Sequence, residues 1–169
     1  STGVVETLAK RGYVDIKKRY PSAEETQTKH ESALAASALP TYDRHILNEE
    51  QHRAYDFITD LLRKNTFAEC LLHGVTGSGK TELYMHLISE TIANGGDTLL
   101  LVPEISLTPQ MTAHFTHRFG NNVAVLHSRL SDGERNLQWN RIKNGEVSVA
   151  IGARSAIFAP FQNLRLIIL

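Results

Sequence analysis

The sequence predicts an α/β domain in which a parallel sheet carries helices on both faces. From residue 47 onward, short apolar runs alternate with segments whose apolar residues recur at helical spacing. Parallel strands need such intervening helices as crossover connections. The apolar runs also contain few polar residues, as expected for strands that are covered on both faces.

Helix starts are marked by residues that suit a helix N-terminus. They are Asn48 with Gln51, Thr108 with Pro109, and Ser131 with Glu134. The first and last pairs fit the capping box, and a threonine followed by proline suits the N-cap and the first helical position. A further helix is expected to open at Lys80 and to end at Gly95 and Gly96.

Five apolar runs are predicted to be strands. They are residues 68–73, 98–102, 123–126, 147–151 and 164–169. The first run carries the only cysteine of the chain, Cys70, which we expect to be buried on its strand. A single cysteine forms no intrachain disulfide, and a free thiol fits a reducing compartment.

Composition limits the classes of protein that remain. Lys plus Arg and Asp plus Glu number 18 each, so the formal net charge is zero. A strongly basic nucleic-acid-binding protein is therefore excluded, whereas a local basic groove is not. No apolar run approaches the roughly 20 residues that span a bilayer, and no signal-peptide pattern is present, so we predict a cytoplasmic protein without a membrane partner.

Three stretches of the chain differ in character. Residues 1–20 combine a short helical pattern, a turn and an alternating strand-like segment. Residues 21–45 are rich in Ser, Ala, Thr and Glu and lie between two prolines, which is typical of a linker. Residues 46–169 form the predicted α/β domain.

A complete phosphate-binding motif lies between a predicted strand and a predicted helix. Its residues are Gly74, Val75, Thr76, Gly77, Ser78, Gly79, Lys80 and Thr81. The glycines let backbone N–H groups turn toward an anion, and the helix start adds unpaired donors. Lys80 is expected to reach the β- and γ-phosphates, and the Thr81 hydroxyl to hold Mg²⁺. The motif predicts binding of ATP or GTP.

Hydrolysis needs more than this loop. The metal also needs a carboxylate at the end of another strand, and no apolar run of this chain ends in Asp-Glu. Because the chain stops within the run at residues 164–169, we expect it to be an excerpt of a longer protein. We expect the excerpt alone not to hydrolyse ATP.

Several segments in order resemble the PriA family of bacterial replication-restart helicases, also called primosomal protein N′. They are residues 72–84, 101–110, 125–128, 131–135 and 151–160. The resemblance runs from about residue 47 to residue 169. The family usually has Thr at the position of Ala153.

The resemblance implies the first RecA-like lobe of a superfamily 2 motor that uses ATP and Mg²⁺ to move 3′ to 5′ on single-stranded and forked DNA. It implies a second lobe and a zinc-binding insertion in the longer protein, with zinc ligands that this chain lacks. Primosome proteins and single-strand-binding protein are the implied partners, and residues 1–20 resemble the end of a winged-helix domain. The alternatives are a branched-DNA motor of RecG type and a fragment that binds nucleotide or DNA without catalysis.

Two sets of residues are candidates for ligand contact beyond the loop. The Gln51 amide can pair with adenine, as the glutamine of the helicase Q motif does, or can serve only the capping box with Asn48. Arg154 and Ser155 can hold DNA phosphates, or Arg154 can form a surface ion pair of little energetic weight.

Other polar or aromatic residues have weaker claims. Thr108 and Gln110 are candidates for the DNA backbone, although Thr108 also suits a helix cap. Glu104 can orient the phosphate loop or pair with a base, and the two remain open. We expect His127 to be a packed or solvated side chain, and Trp139 to pack its helix onto the sheet.

Overall fold

A computed structural model describes residues 46–169. The predicted winged-helix remnant at residues 1–20 and the linker at residues 21–45 lie outside the described residues, and their assignment stays a prediction. The helices are α1 (Glu49–Arg63), α2 (Lys80–Ala93), α3 (Pro109–Phe119) and α4 (Asp132–Lys143). The strands are β1 (Asp97–Leu101), β2 (Val123–Leu126), β3 (Val149–Gly152) and β4 (Leu164–Ile168).

The four strands form one parallel sheet in the order β2-β3-β1-β4. Alternate residues of each strand point to opposite faces, so the sheet supports two separate apolar layers. On one face, Leu100 and Ile151 pack with Phe115 of α3 and Ile88 of α2. On the other face, a second cluster includes Ile142 of α4. The predicted α/β class, with helices on both faces, is confirmed.

The helix starts follow the capping signals in the sequence. Both halves of the capping box form at α1 and again at α4. At α3, the Thr108 hydroxyl accepts a hydrogen bond from the Met111 N–H at 3.2 Å, with Pro109 at the first helical position. At the end of α2, Gly95 adopts φ +72°, the left-handed conformation that commonly closes a helix.

The prediction of a buried strand at residues 68–73 is wrong. This segment has no strand, and most of its side chains are exposed, including that of Cys70. A strand exists only where a second backbone edge accepts its hydrogen bonds. Within residues 46–169 the β4 edge of the sheet has no further strand paired to it, so apolar composition alone overstated the order of this segment.

β4 is less covered than a two-sided buried strand. Leu164 and Ile167 are 38% and 49% exposed, whereas β2 at the opposite edge of the sheet is mostly buried. The prediction that both faces of each strand are covered therefore holds for the three strands β1, β2 and β3 but not for β4.

α1 lies outside the sheet layers and packs on α2. Leu47, Leu83 and Leu87 form its buried contact. The Tyr55 hydroxyl donates to the Glu90 carboxylate at 3.2 Å, and desolvation together with the Glu90 charge raises the pKa of Tyr55. The contact between Leu47 and Leu83 places the N-terminus of α1 beside the start of α2. Among residues 46–169, no helix is long and apolar enough to cross a membrane.

Candidate nucleotide and nucleic-acid site

The functional candidates gather at one edge of the sheet. β1, β2 and β3 run parallel, so the segments that follow them lie at the same carboxyl edge. α2 ends at Ala93, shortly before β1 begins at Asp97, so its N-terminus points back to that edge. Ligands of parallel α/β sheets bind at this end of the strands.

The phosphate loop, residues 74–81, has the backbone of an anion cradle. Gly77 and Gly79 adopt φ +81° and +80°, a conformation that L side chains rarely adopt. Gly79 is the N-cap of α2 and supplies no side-chain hydrogen bond to the helix start. The first N–H groups of a helix have no intrahelical partner, so the start of α2 presents donors and a partial positive charge.

The Lys80 ammonium lies folded over this loop. Its Nζ donates to the carbonyl oxygens of Gly74 at 2.7 Å and Val75 at 2.8 Å. Both partners are neutral acceptors, so the positive charge has no carboxylate beside it in these contacts. A phosphate that enters the loop offers Nζ stronger, charge-assisted acceptors than two carbonyl groups do.

The Gln51 amide joins α1 to the phosphate loop. Neither alternative drawn from the sequence, adenine contact or the capping box alone, included this bond. Its Oε1 accepts from the Asn48 N–H at 2.9 Å and completes the capping box. Its Nε2 donates to the carbonyl of Ser78 at 3.0 Å. A Cβ on Gly79 would lie 2.3 Å from this Nε2, so a glycine is needed there for the amide to fit. In this arrangement both ends of the amide have protein partners.

A cleft of about 930 Å³ lies at the carboxyl ends of β1 and β3. We call it the Arg154 cleft, and Glu104, Ser128, Arg154 and Ser155 are among its lining residues. The short 3-10 helix Arg154–Phe158 directly after β3 carries two of them. Arg154 is exposed, and the ion pairs within residues 46–169 do not include it. Its two alternative roles stay predictions.

Of the remaining candidate residues, some line the Arg154 cleft and others do not. Thr108 caps α3, and neither it nor Gln110 lines the Arg154 cleft, although both are exposed. Glu104 lines the same cleft as Arg154, and the choice between orienting the phosphate loop and pairing with a base stays open. The nucleic-acid roles of these residues stay predictions.

A second cleft, of about 270 Å³, adjoins the first and was missed by sequence reasoning. We call it the Trp139 cleft. Its lining includes His127, Arg135, Trp139 and Ser155. The Trp139 indole is half-buried, and within residues 46–169 it is not among the side chains packed against the three core clusters. The expectation that it packs its helix onto the sheet stays a prediction. No sequence signal joins these residues, because they come from three separate segments.

The residues present fit a magnesium nucleotide. The loop supplies glycine-shaped space, unpaired helix-start donors and one ammonium group, and Thr81 is an exposed hydroxyl in the first turn of α2. Within the described part of the chain, no group of three His, Cys, Asp or Glu residues could hold a metal ion.

Comparisons with known proteins agree with this arrangement. Residues 48–169 match the DEAD/DEAH box helicase family. The chain is 43% identical over 169 residues to the replication restart protein PriA of Bacillus subtilis, covering 100% of this chain and 20% of that protein. It is 42% identical over 169 residues to PriA of Synechocystis sp., and the match covers 100% of this chain and 19% of that protein. The PriA of Chlamydia trachomatis is 49% identical over 122 residues, and the match covers 72% of this chain and 16% of that protein.

A solved structure of RecG bound to a three-way DNA junction is similar with a TM-score of 0.64 and 24% identity. The match covers 98% of this chain and 22% of that one, and it shows the fold alone. It confirms the RecA-like fold, and the PriA relatives confirm the resemblance seen in the sequence. The chain spans about one fifth of the length of the curated relatives that it matches along its whole length. It belongs to the DEAD/DEAH box helicase family.

Proposed function

We propose that this DEAD/DEAH box helicase chain is the ATP-binding lobe of a 3′-to-5′ DNA helicase of replication restart. The observation that carries the proposal is that the phosphate loop and the Arg154 cleft lie at the same carboxyl edge of one sheet. In a motor, binding of nucleotide must alter the binding of DNA. Two sites on the same domain can be coupled in this way.

The phosphate site works through groups that are already in place. The loop N–H groups and the start of α2 would bind the phosphate oxygens, and Lys80 would exchange its two carbonyl contacts for phosphate oxygens. The Thr81 hydroxyl would hold the Mg²⁺ that accompanies ATP. ATP supplies the free energy that drives movement when it is hydrolysed.

The DNA site would lie along the Arg154 cleft. The Arg154 guanidinium and the Ser155 hydroxyl would hold phosphates of a single strand, as charged and hydroxyl side chains commonly do. Contacts of Gln110 and Thr108 with the DNA backbone belong to the same proposal in a longer path, although the Thr108 hydroxyl already accepts the α3 cap bond.

The proposal extends to the longer protein through family membership. Forked and single-stranded DNA are its proposed substrates, and primosome proteins and single-strand-binding protein its proposed partners. We also propose a zinc site outside this chain and a cytoplasmic location. The relatives that support these points are named replication restart proteins, whereas the likeness to RecG extends only to the fold and favours no branched-DNA alternative.

The test is Lys80→Ala in the longer protein. Without the ammonium, nucleotide-dependent unwinding of forked DNA should fall to background, while DNA affinity without nucleotide stays within about twofold because Lys80 lies at the nucleotide site. Lys64→Ala, an exposed lysine after α1, is the matched control and should unwind normally. Unwinding by the Lys80→Ala protein at the parent rate would refute the assignment.

A further inference from the structure

The Trp139 cleft contains the only tryptophan of the chain, and α4 does not need that side chain to dock. α4 is held on the sheet by the buried residues Ile142 and Gln138. Arg141 adds hydrogen bonds from Nη1 to the Val123 carbonyl at 3.3 Å and to Gln138 Oε1 at 3.0 Å. The half-buried indole of Trp139, one turn before Ile142, lines the cleft.

The floor of this cleft is apolar. Leu126, the last residue of β2, and Ala156 of the 3-10 helix form it. These two residues approach closely because Gly152 lies between them. A Cβ on Gly152 would lie 2.6 Å from the Leu126 carbonyl oxygen and 2.5 Å from the Ala156 Cβ. The close approach at Gly152 therefore sets the distance between the two residues of the floor.

The rim of the cleft supplies polar groups around that apolar floor. The hydroxyl groups of Ser128 and Ser155 line it. His127 Nδ1 accepts a hydrogen bond from the Arg129 N–H at 3.2 Å. Arg135 lies at the mouth with its side chain half-exposed. An aromatic wall with an apolar floor and a few hydrogen-bonding groups suits a flat heterocycle, which stacks by its face and is held by its edge.

We propose that the Trp139 cleft binds one nucleobase of single-stranded DNA, stacked on the indole of Trp139. Ser128 and Ser155 line both this cleft and the Arg154 cleft. A strand whose phosphates lie along the Arg154 cleft therefore has a base beside Trp139. The inference rests on the proposed function, because it adds a base site to the DNA path proposed there. A phosphate would gain nothing from the indole and the apolar floor, whereas stacking accepts any base.

The sole tryptophan makes the test direct in the unaltered chain. Two fluorescently labelled oligonucleotides of equal length and charge are compared, one of oligothymidylate and one of abasic residues. Anisotropy of the label measures binding, and emission of Trp139 measures stacking. The expected result is that saturating oligothymidylate quenches Trp139 emission, whereas saturating abasic strand leaves it nearly unchanged.

Substitutions test how much stacking on Trp139 contributes to the affinity for DNA. Trp139→Leu should weaken oligothymidylate binding about tenfold and leave abasic binding unchanged, while Trp139→Phe should retain most of the affinity because its ring still stacks. Arg154→Ala should weaken both strands by the same factor, since it removes a phosphate contact. Thermal unfolding of each variant checks that the fold is retained.

The outcomes separate the inference from the function on which it rests. If anisotropy detects no binding of either strand, the proposed DNA site fails and the inference fails with it. If both strands bind but emission changes equally or not at all, the base site is overturned and the DNA site stands. Equal losses of both strands in the Trp139→Leu chain would likewise overturn the base site.

Discussion

The two hydrogen bonds of the Gln51 amide lead to a prediction that distinguishes its role in the helix cap from its role at the phosphate loop. It completes the α1 capping box through Oε1 and bonds the Ser78 carbonyl through Nε2. Gln51→Glu keeps an acceptor for the cap, where glutamate is equally suitable, but it has no N–H for Ser78. Gln51→Ala removes both bonds. Asn48→Ala, the matched control, removes the cap acceptor on Asn48 and leaves the bond from Gln51 to Ser78.

The structure gives the size of each effect. One hydrogen bond of this kind contributes about 1 kcal/mol net, and an N-cap side chain contributes about the same. The free energy of unfolding should fall by about 2 kcal/mol in Gln51→Ala and by about 1 kcal/mol in each of the other variants. If the bond to Ser78 preorganises the phosphate loop, its loss should raise the nucleotide dissociation constant about fivefold in both Gln51 variants. Asn48→Ala should bind nucleotide as the parent does.

Titration with fluorescent ATP and GTP analogues, and unfolding in urea, supply the measurements. A loop effect weakens both nucleotides equally, because the bond to Ser78 does not contact the base. If the variants weaken ATP and leave GTP unchanged, Gln51 reads adenine instead. If neither nucleotide is affected, the bond to Ser78 does not order the loop and the reasoning is refuted.

Two further predictions concern the carboxyl edge of the sheet. Arg154→Ala should make the slope of log affinity for DNA against log salt concentration shallower by about one unit, because one phosphate contact is lost. A salt titration with an unchanged slope would show that Arg154 does not contact the DNA. Gly152→Ala should lower the free energy of unfolding by about 2–3 kcal/mol, because its Cβ meets the backbone oxygen of Leu126 at 2.6 Å. Urea denaturation measures the loss, and a Gly152→Ala chain as stable as the parent would contradict the backbone clash.

The sequence by itself determined the features that depend on neighbours along the chain. Helix starts at α1, α3 and α4 follow from capping residues within three positions of each other. The phosphate loop is a contiguous motif, so its residues and its place before a helix could be read directly. The alternation of apolar runs and helical patterns predicted the α/β class, because crossover connections are set by element order.

Tertiary structure decided whatever depends on distant partners. Residues 68–73 are apolar enough for a strand, yet they pair with neither edge of the sheet, and composition does not reveal whether a segment finds a partner strand. The bond from Gln51 to Ser78 joins residues 27 positions apart. The Trp139 cleft gathers side chains from the ends of β2 and β3 and from α4. Local patterns fix dihedral preferences and caps, whereas the meeting of separate segments follows from how the helices pack on the sheet.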